Sequence, residues 1–491
     1  MKNEIKNKKN LKGSALAYAL IIMAIVLIIL TSMLSYIVSQ IKFSANRVEK
    51  EKALQIAEAG IYFYRWYLAH ETAGKSAQDV ENFWQNENPL GVSSSYTQNF
   101  SDPEGGIIGE YEIEVQAPSA GSTVAIVEST GWTSKEPQLK RTIQVRFRRP
   151  SWSEYAVLAN SIMRFGENTE VFGKLHSNCG IRFDGLAHNI ISSSVATYDD
   201  PDHSGGNEFG VHTHVDPSNG SVGSGFIEEE APPSLLQDRP DVFEVGRQFP
   251  VPTVNFNGLV SDLNFLKSEA QSGNGIYYDN NKCDNKKNAG RHIVLNGTTM
   301  TVSIVTDYNN ANYSIKKEDC FSNNVSIPQN GIVFVENNIW LEGTVNGRRV
   351  TFVAANLIGG ETASVYMGMD NLLYTNFDGT DVIGILAQED IEIVKNSLDD
   401  LTIDAALLSQ SGRVGRNYYT PFGCSSQSCK DHKGTITING AMATFLRYGF
   451  AYTNGTGYSY RILNFDNNLL YYPPPYFPTG TDYYIDLWEE L

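Results

Sequence analysis

From Gly13 to Ile41 the chain carries no charged side chain and is dominated by Leu, Ile, Val and Ala. A helix of about 20 apolar residues spans a bilayer, so this run is long enough to cross one. The pattern then changes without a break. Leu54, Ala57, Ile61, Tyr64 and Leu68 recur at helical spacing and place one apolar stripe on a helix. No proline interrupts residues 14–70. The pattern predicts one helix over 14–70, about 85 Å long at 1.5 Å per residue. Its first part is apolar all round, and its second part is amphipathic and packs on something.

Past the helix, residues 71–108 read as linker and loop, with a turn signal at Asp102-Pro103-Glu104-Gly105-Gly106. Three runs then alternate apolar and polar side chains, at 109–116, 123–132 and 139–148. Period-2 alternation predicts a half-buried antiparallel sheet, which the amphipathic part of the helix would cover. Beyond Arg149-Pro150, short apolar runs alternate with Gly, Asn and Asp. They include 162–165, 170–175, 180–183, 293–295, 300–305, 331–335, 339–341, 350–354, 382–387, 391–394, 401–408 and 434–438. Their brevity predicts a parallel β-helix-like domain, with a β-sandwich as the alternative. One helix, 259–272, interrupts them. The expected fold class is mainly β with one long N-terminal α-helix. Its segments are a basic leader (1–13), a helix (14–70, transmembrane over about 14–41), a small antiparallel sheet (71–150) and a large β-domain (151–491).

Charge fixes the orientation this implies. Residues 1–13 carry five lysines and one glutamate, and the basic side of a span stays cytoplasmic. A cleavable secretory signal has a shorter apolar core, so a retained single-pass anchor with an exported domain is expected. The formal charge is −17, and loss of residues 1–13, with their five lysines and one glutamate, makes it −21. An acidic surface argues against nucleic acid as a partner.

Candidate chemistry is sparse. His212-Thr213-His214-Val215-Asp216 alternates ligand-type side chains, which on a strand share a face and suit a metal. A solvated segment with two surface histidines is the reading favoured over His212, His214 and Asp216 as ligands. Tyr198-Asp199-Asp200-Pro201-Asp202-His203 offers oxygens for calcium but lacks the order of a helical calcium loop. Asp399-Asp400 and Glu489-Glu490 are acid pairs of the kind glycosidases use, but adjacent acids are usually solvated. No G-x-S-x-G, H-E-x-x-H or P-loop pattern occurs. We therefore expect no enzyme, no cofactor and no metal.

Five cysteines leave at least one thiol unpaired within the chain. Cys424 and Cys429 bracket a short polar loop and are one candidate pair, although with His432 they could instead be metal ligands. Cys283 and Cys320, both in polar loop-like sequence, are a second pair, leaving Cys179 over. Spacing alone does not settle the connectivity.

The leader ends Leu11-Lys12-Gly13 and is followed by Ser14-Ala15-Leu16-Ala17-Tyr18. With the long helix behind it, this amino terminus resembles the type IV pilin family. The resemblance implies that a prepilin peptidase cuts between Gly13 and Ser14. It departs from ordinary pilins at Tyr18, where they carry a glutamate that is thought to neutralise the new amine of a neighbouring subunit. PilX-type minor pilins and GspK-type pseudopilins often lack that acid, which fits a subunit at a filament tip. Ala53-Leu54-Gln55-Ile56-Ala57-Glu58-Ala59-Gly60-Ile61 resembles the hallmark string of PilX-type amino termini, with Ala57, Glu58, Ala59 and Gly60 at its centre. Glu128-Ser129-Thr130-Gly131 and Lys140-Arg141-Thr142-Ile143-Gln144-Val145 resemble the sheet of that group. The partners implied are other pilins or pseudopilins, an inner-membrane assembly platform, the prepilin peptidase, and the bilayer through 14–41.

Residues 151–491 resemble a large uncharacterised domain found behind such leaders. The matching strings run Phe165-Gly166-Glu167-Asn168-Thr169, Gly173-Lys174-Leu175-His176-Ser177-Asn178, Gly384-Ile385-Leu386-Ala387-Gln388, Ile403-Asp404-Ala405-Ala406-Leu407 and Pro473-Pro474-Pro475-Tyr476-Phe477-Pro478. The function expected is a minor pilin-like component that primes assembly or sits at a tip, with adhesion as a further role. The alternative is a membrane-anchored surface β-helix that binds or acts on polysaccharide.

Overall fold

The computed structural model describes residues 12–491 except 73, 76, 119–121, 257–262, 422, 425 and 481–482, with side chains from 15 onward except 77, 78 and 427. The leader, 1–11, lies outside the described residues. Helix α1 spans Lys12–Thr72. Its two parts differ as the pattern predicts. Residues 15–48 are exposed throughout, and Ala57, Ile61, Tyr64 and Leu68 are fully buried.

What buries them is an antiparallel sheet of β1 (Tyr96–Ser101), β2 (Ile107–Gln116), β3 (Val124–Thr133) and β4 (Arg141–Arg148), paired in that order. The inward positions Tyr111, Ile113, Val127, Ile143, Val145 and Phe147 close on the helix stripe to form one core. The segment read as linker and loop holds two elements of this unit. Strand β1 pairs with β2 from Tyr96↔Ile113 onward. Helix α2 (Ala77–Asn86) buries Val80, Phe83 and Trp84, a spacing of three and four that is too short a pattern to stand out in polar sequence.

The sheet has a fifth strand, and it comes from the end of the chain. Tyr484–Glu490 lies antiparallel on β4, from Tyr484↔Arg148 to Glu490↔Ile143. Asp486 accepts from Arg146 (2.7 Å) and Arg148 (3.0 Å), and the Trp84 indole donates to the Tyr483 hydroxyl (2.7 Å). The division at residue 150 therefore leaves out the last strand of the first unit. No local pattern announces this strand, because its partner lies hundreds of residues earlier.

Most of the remainder winds into a coil of parallel-paired strands. Along one face the ladder runs Ile276, Val333, Phe352, Ile385, Leu407, Met442, Val157, Leu175, Ile191, each beside the next. On another face it runs Gly343, Leu372, Ile403, Ile438, Leu463, Val171, Ala187. These inward columns share one core. The ladder is out of chain order. Its early rungs, from Val157, occupy one end; the chain then returns to the opposite end and winds back until Met442 stacks on Val157. One polar column is self-satisfying: Asn439 Nδ2 donates to Asp404 Oδ1 (2.7 Å) and Asn464 Nδ2 to Asn439 Oδ1 (2.8 Å). Helix α3 (Leu263–Gln271) buries Leu263, Leu266 and Ala270 against the coil; the part expected over 259–262 lies outside the described residues.

Candidate functional site

The hallmark string on α1 has a steric meaning. Ala53, Ala57 and Gly60 face the sheet where β2 and β3 approach the helix most closely. A methyl group on Gly60 would lie 2.2 Å from Ser129 Oγ and 3.0 Å from the Tyr111 ring. Glu58 and Ala59 are half-buried beside this contact. The expected processing residues Gly13 and Ser14 lie within helical backbone at the start of α1.

A second cluster lies on the outer face of the coil near its early-rung end. Val211–His212 pairs parallel with Ile181–Phe183, placing His212 beside Arg182. A hairpin, Thr197–Tyr198 against Glu208–Phe209, folds over this face. Its connecting loop supplies Asp200 and His203, and its second strand supplies Glu208. The reading of His212 and His214 as solvated does not hold: both are buried, at 0% and 1% exposure. Their sequence-predicted companion Asp216 is elsewhere, holding a turn through Ser218 and Asn219. The acidic run 198–203 is also split. Asp200 turns inward, while Asp202 accepts from Arg164 (3.1 Å) and Arg447 (2.5 Å).

The His203 and His212 Nε2 atoms each lie 3.6 Å from Asp200 Oδ2. The His203 and His214 Nε2 atoms lie 2.9 Å and 3.9 Å from Glu208 Oε1. None of these pairs is aligned as a hydrogen bond. Asp200 Oδ2, Glu208 Oε1, both ring nitrogens of His203 and His212, and His214 Nε2 have no hydrogen-bond partner among the described residues. The outward-facing atoms are held. Asp200 Oδ1 accepts from the Asp202 amide (3.0 Å), and His214 Nδ1 lies 3.3 Å from the Gly223 carbonyl. Arg182, itself buried, donates to Asp184 (2.7 Å) and Gly223 O (3.0 Å). Burial, then the Arg182 charge, push the His214 imidazole down to about 3, so it is neutral. Sequence reasoning singled out both halves of this cluster but did not join them. Glu208 carries no signal beyond its nearness to the histidines.

The remaining candidates disperse. Cys283–Cys320 and Cys424–Cys429 are disulfides, and Cys179 is a half-buried free thiol. The Cys424–Cys429 bond takes up the thiols of the alternative metal reading with His432. Asp399 pairs with Lys433 (3.2 Å) and Asp400 accepts from the Thr435 amide (2.9 Å), whereas Glu489 and Glu490 lie on the carboxy-terminal strand of the other unit. A cavity of about 820 Å³ is lined by Arg164, Arg413, Arg447 and Arg461. These arginines are engaged: the first and third by Asp202, Arg413 by Glu392 (3.3 Å), and Arg461 by the Tyr458 and Ser459 carbonyls.

Within α1, the stretch from Ala15 is long and apolar enough to cross a membrane. That fits a single-pass anchor. No family model and no curated protein matches the chain. Among solved structures, the competence-associated pilin ComZ from Thermus thermophilus matches at 13% identity, over 90% of this chain and 97% of that one, with a TM-score of 0.31.

Proposed function

We propose that this chain is a minor, PilX-type pilin-like subunit of a type IV pilus or a related filament, acting in assembly and not in catalysis. The observation that carries the reading is the division of α1. Its first part exposes apolar side chains on every face, including Leu20, Ile25, Leu30 and Ile37, while its second part is sealed onto a small antiparallel sheet. A bare apolar rod is costly in water and needs lipid or other apolar helices around it. A rod that waits in the bilayer and then enters a bundle of sister rods meets both needs.

The large coil supports a rare or terminal position. A body of that size on every subunit would crowd a helically packed shaft. Tyr18 supports the same position, since a subunit with none ahead of it needs no carboxylate to pair with a neighbour's amine. The partners are then other pilins, the assembly platform and the prepilin peptidase, and the coil faces away from the cytoplasm.

The test is the mature amino terminus, read by mass spectrometry from cells that hold the processing peptidase. A start at Ser14, with the protein recovered in sheared filaments, supports the proposal. An intact Met1 in a protein that stays in the membrane fraction points to the plain surface anchor.

A further inference from the structure

The histidine cluster on the coil has the chemistry of a metal site. We propose that Asp200, His203, His212 and His214 bind one divalent transition-metal ion of the zinc class, which clips the 197–209 hairpin onto the coil.

Three observations carry this. The first is separation. One ligand-type atom from each of the four residues lies within 4.8 Å of the others. Ligands about 2.0–2.1 Å from a tetrahedral ion lie about 3.3 Å apart, so the 3.6 Å distances from Asp200 Oδ2 to His203 and His212 need little adjustment. The second is orientation. Each residue turns an unpartnered atom inward, although its surroundings are buried. A buried polar atom without a partner costs about 1–3 kcal/mol, so several pointed at one place imply something that engages them together. The contacts of Asp200 Oδ1 with the Asp202 amide and of His214 Nδ1 with the Gly223 carbonyl are the outer-shell contacts that orient metal ligands. The third is charge. Asp184, Asp200 and Glu208 are buried carboxylates, and Arg182 is the buried cation among them, with Nη1 3.7 Å from Asp200. Their formal charges sum to −2, which one divalent ion neutralises. Asp202, with Arg164 and Arg447, lies at the partly exposed rim.

Three imidazoles and one carboxylate select zinc-class ions over calcium, which prefers an all-oxygen shell. With four protein ligands and no open position, the site is of the structural kind. Glu208 Oε1, 2.9 Å from His203 Nε2 and 3.9 Å from His214 Nε2, stands beside the site and adds negative charge next to the ion.

The test uses the full chain in detergent, stripped with chelator and titrated with Zn²⁺ or Co²⁺. One equivalent per chain is expected, with the intense visible absorption of tetrahedral Co²⁺ and a rise in the unfolding temperature of the coil. His203→Gln, on the hairpin loop, should weaken Co²⁺ binding at least 10-fold, as should His214→Gln. Asp216→Ala should leave binding unchanged. The proposal is overturned if the wild-type chain takes up no metal, if the Co²⁺ spectrum is the weak octahedral kind, if Ca²⁺ competes with Zn²⁺ at equal concentration, or if His203→Gln and His214→Gln bind as the wild type does.

Discussion

Gly131 of β3 faces the backbone of Ala57 on α1: a methyl group there would lie 2.4 Å from the Ala57 amide nitrogen and 2.3 Å from the Ala53 carbonyl oxygen. Neither atom can move without moving the helix. The small residues of the Ala53–Gly60 string and Gly131 are thus two sides of one close approach. We expect Gly131→Ala to destabilise the helix–sheet unit by about 1–3 kcal/mol through overpacking. Gly60→Ala meets mainly the Ser129 hydroxyl, a lone side-chain atom. Adding Ser129→Gly should therefore restore part of the loss caused by Gly60→Ala but none of that caused by Gly131→Ala. Thermal melts of the four variants measure this, and equal behaviour of the two glycines would refute the packing account.

The end of the chain should matter to its beginning. Deleting residues 483–491 removes the strand that covers β4, the buried Tyr483 and both Asp486 ion pairs. Loss of one large buried aromatic alone costs about 3–5 kcal/mol. Hydrogen exchange should speed up in β4 and α2 while the rungs around Ile385 and Leu407 keep their protection. Uniform protection throughout the truncated chain would contradict this.

Glu392 should make the coil pH-sensitive. Burial pushes its carboxyl up to about 7, against the opposing pull of the Arg413 charge and the Asn417 amide. The native state then holds the proton where the unfolded chain, near its ordinary value of 4.5, has lost it. The contribution to stability is complete below about pH 4.5 and is lost as pH rises to about 7. At 1.36 kcal/mol per unit it amounts to about 3 kcal/mol. Denaturant titrations of wild type and Glu392→Gln at pH 5 and pH 8 should differ in this sense: the variant gains relative to wild type at the higher pH. A constant difference would remove Glu392 as the cause.

Thiol counting checks the cysteine pairing. Unfolded without reductant, the chain should expose one reactive thiol, at Cys179, and five after reduction. Peptide mapping should recover Cys283 linked to Cys320 and Cys424 linked to Cys429. Removing the Cys283–Cys320 bond, which closes a loop of sequence separation 37, should cost about 2–4 kcal/mol. Any other linked pair would count against this topology.

The amino acids alone determine a good deal of this molecule. An uncharged apolar run, a helical stripe and three alternating strands are local patterns, and local patterns survive in sequence because each residue's exposure depends on its own periodicity. The helix, β2 to β4 and most rung positions were legible for that reason. Only the tertiary structure decided three further things. It brought Tyr484–Glu490 onto β4, it stacked Met442 on Val157, and it turned Asp200 and His203 inward to meet His212 and His214. Each depends on which distant backbone supplies the hydrogen bonds or closes off the water. Parallel rungs of nearly equal apolar character leave that choice open in the sequence, and packing settles it.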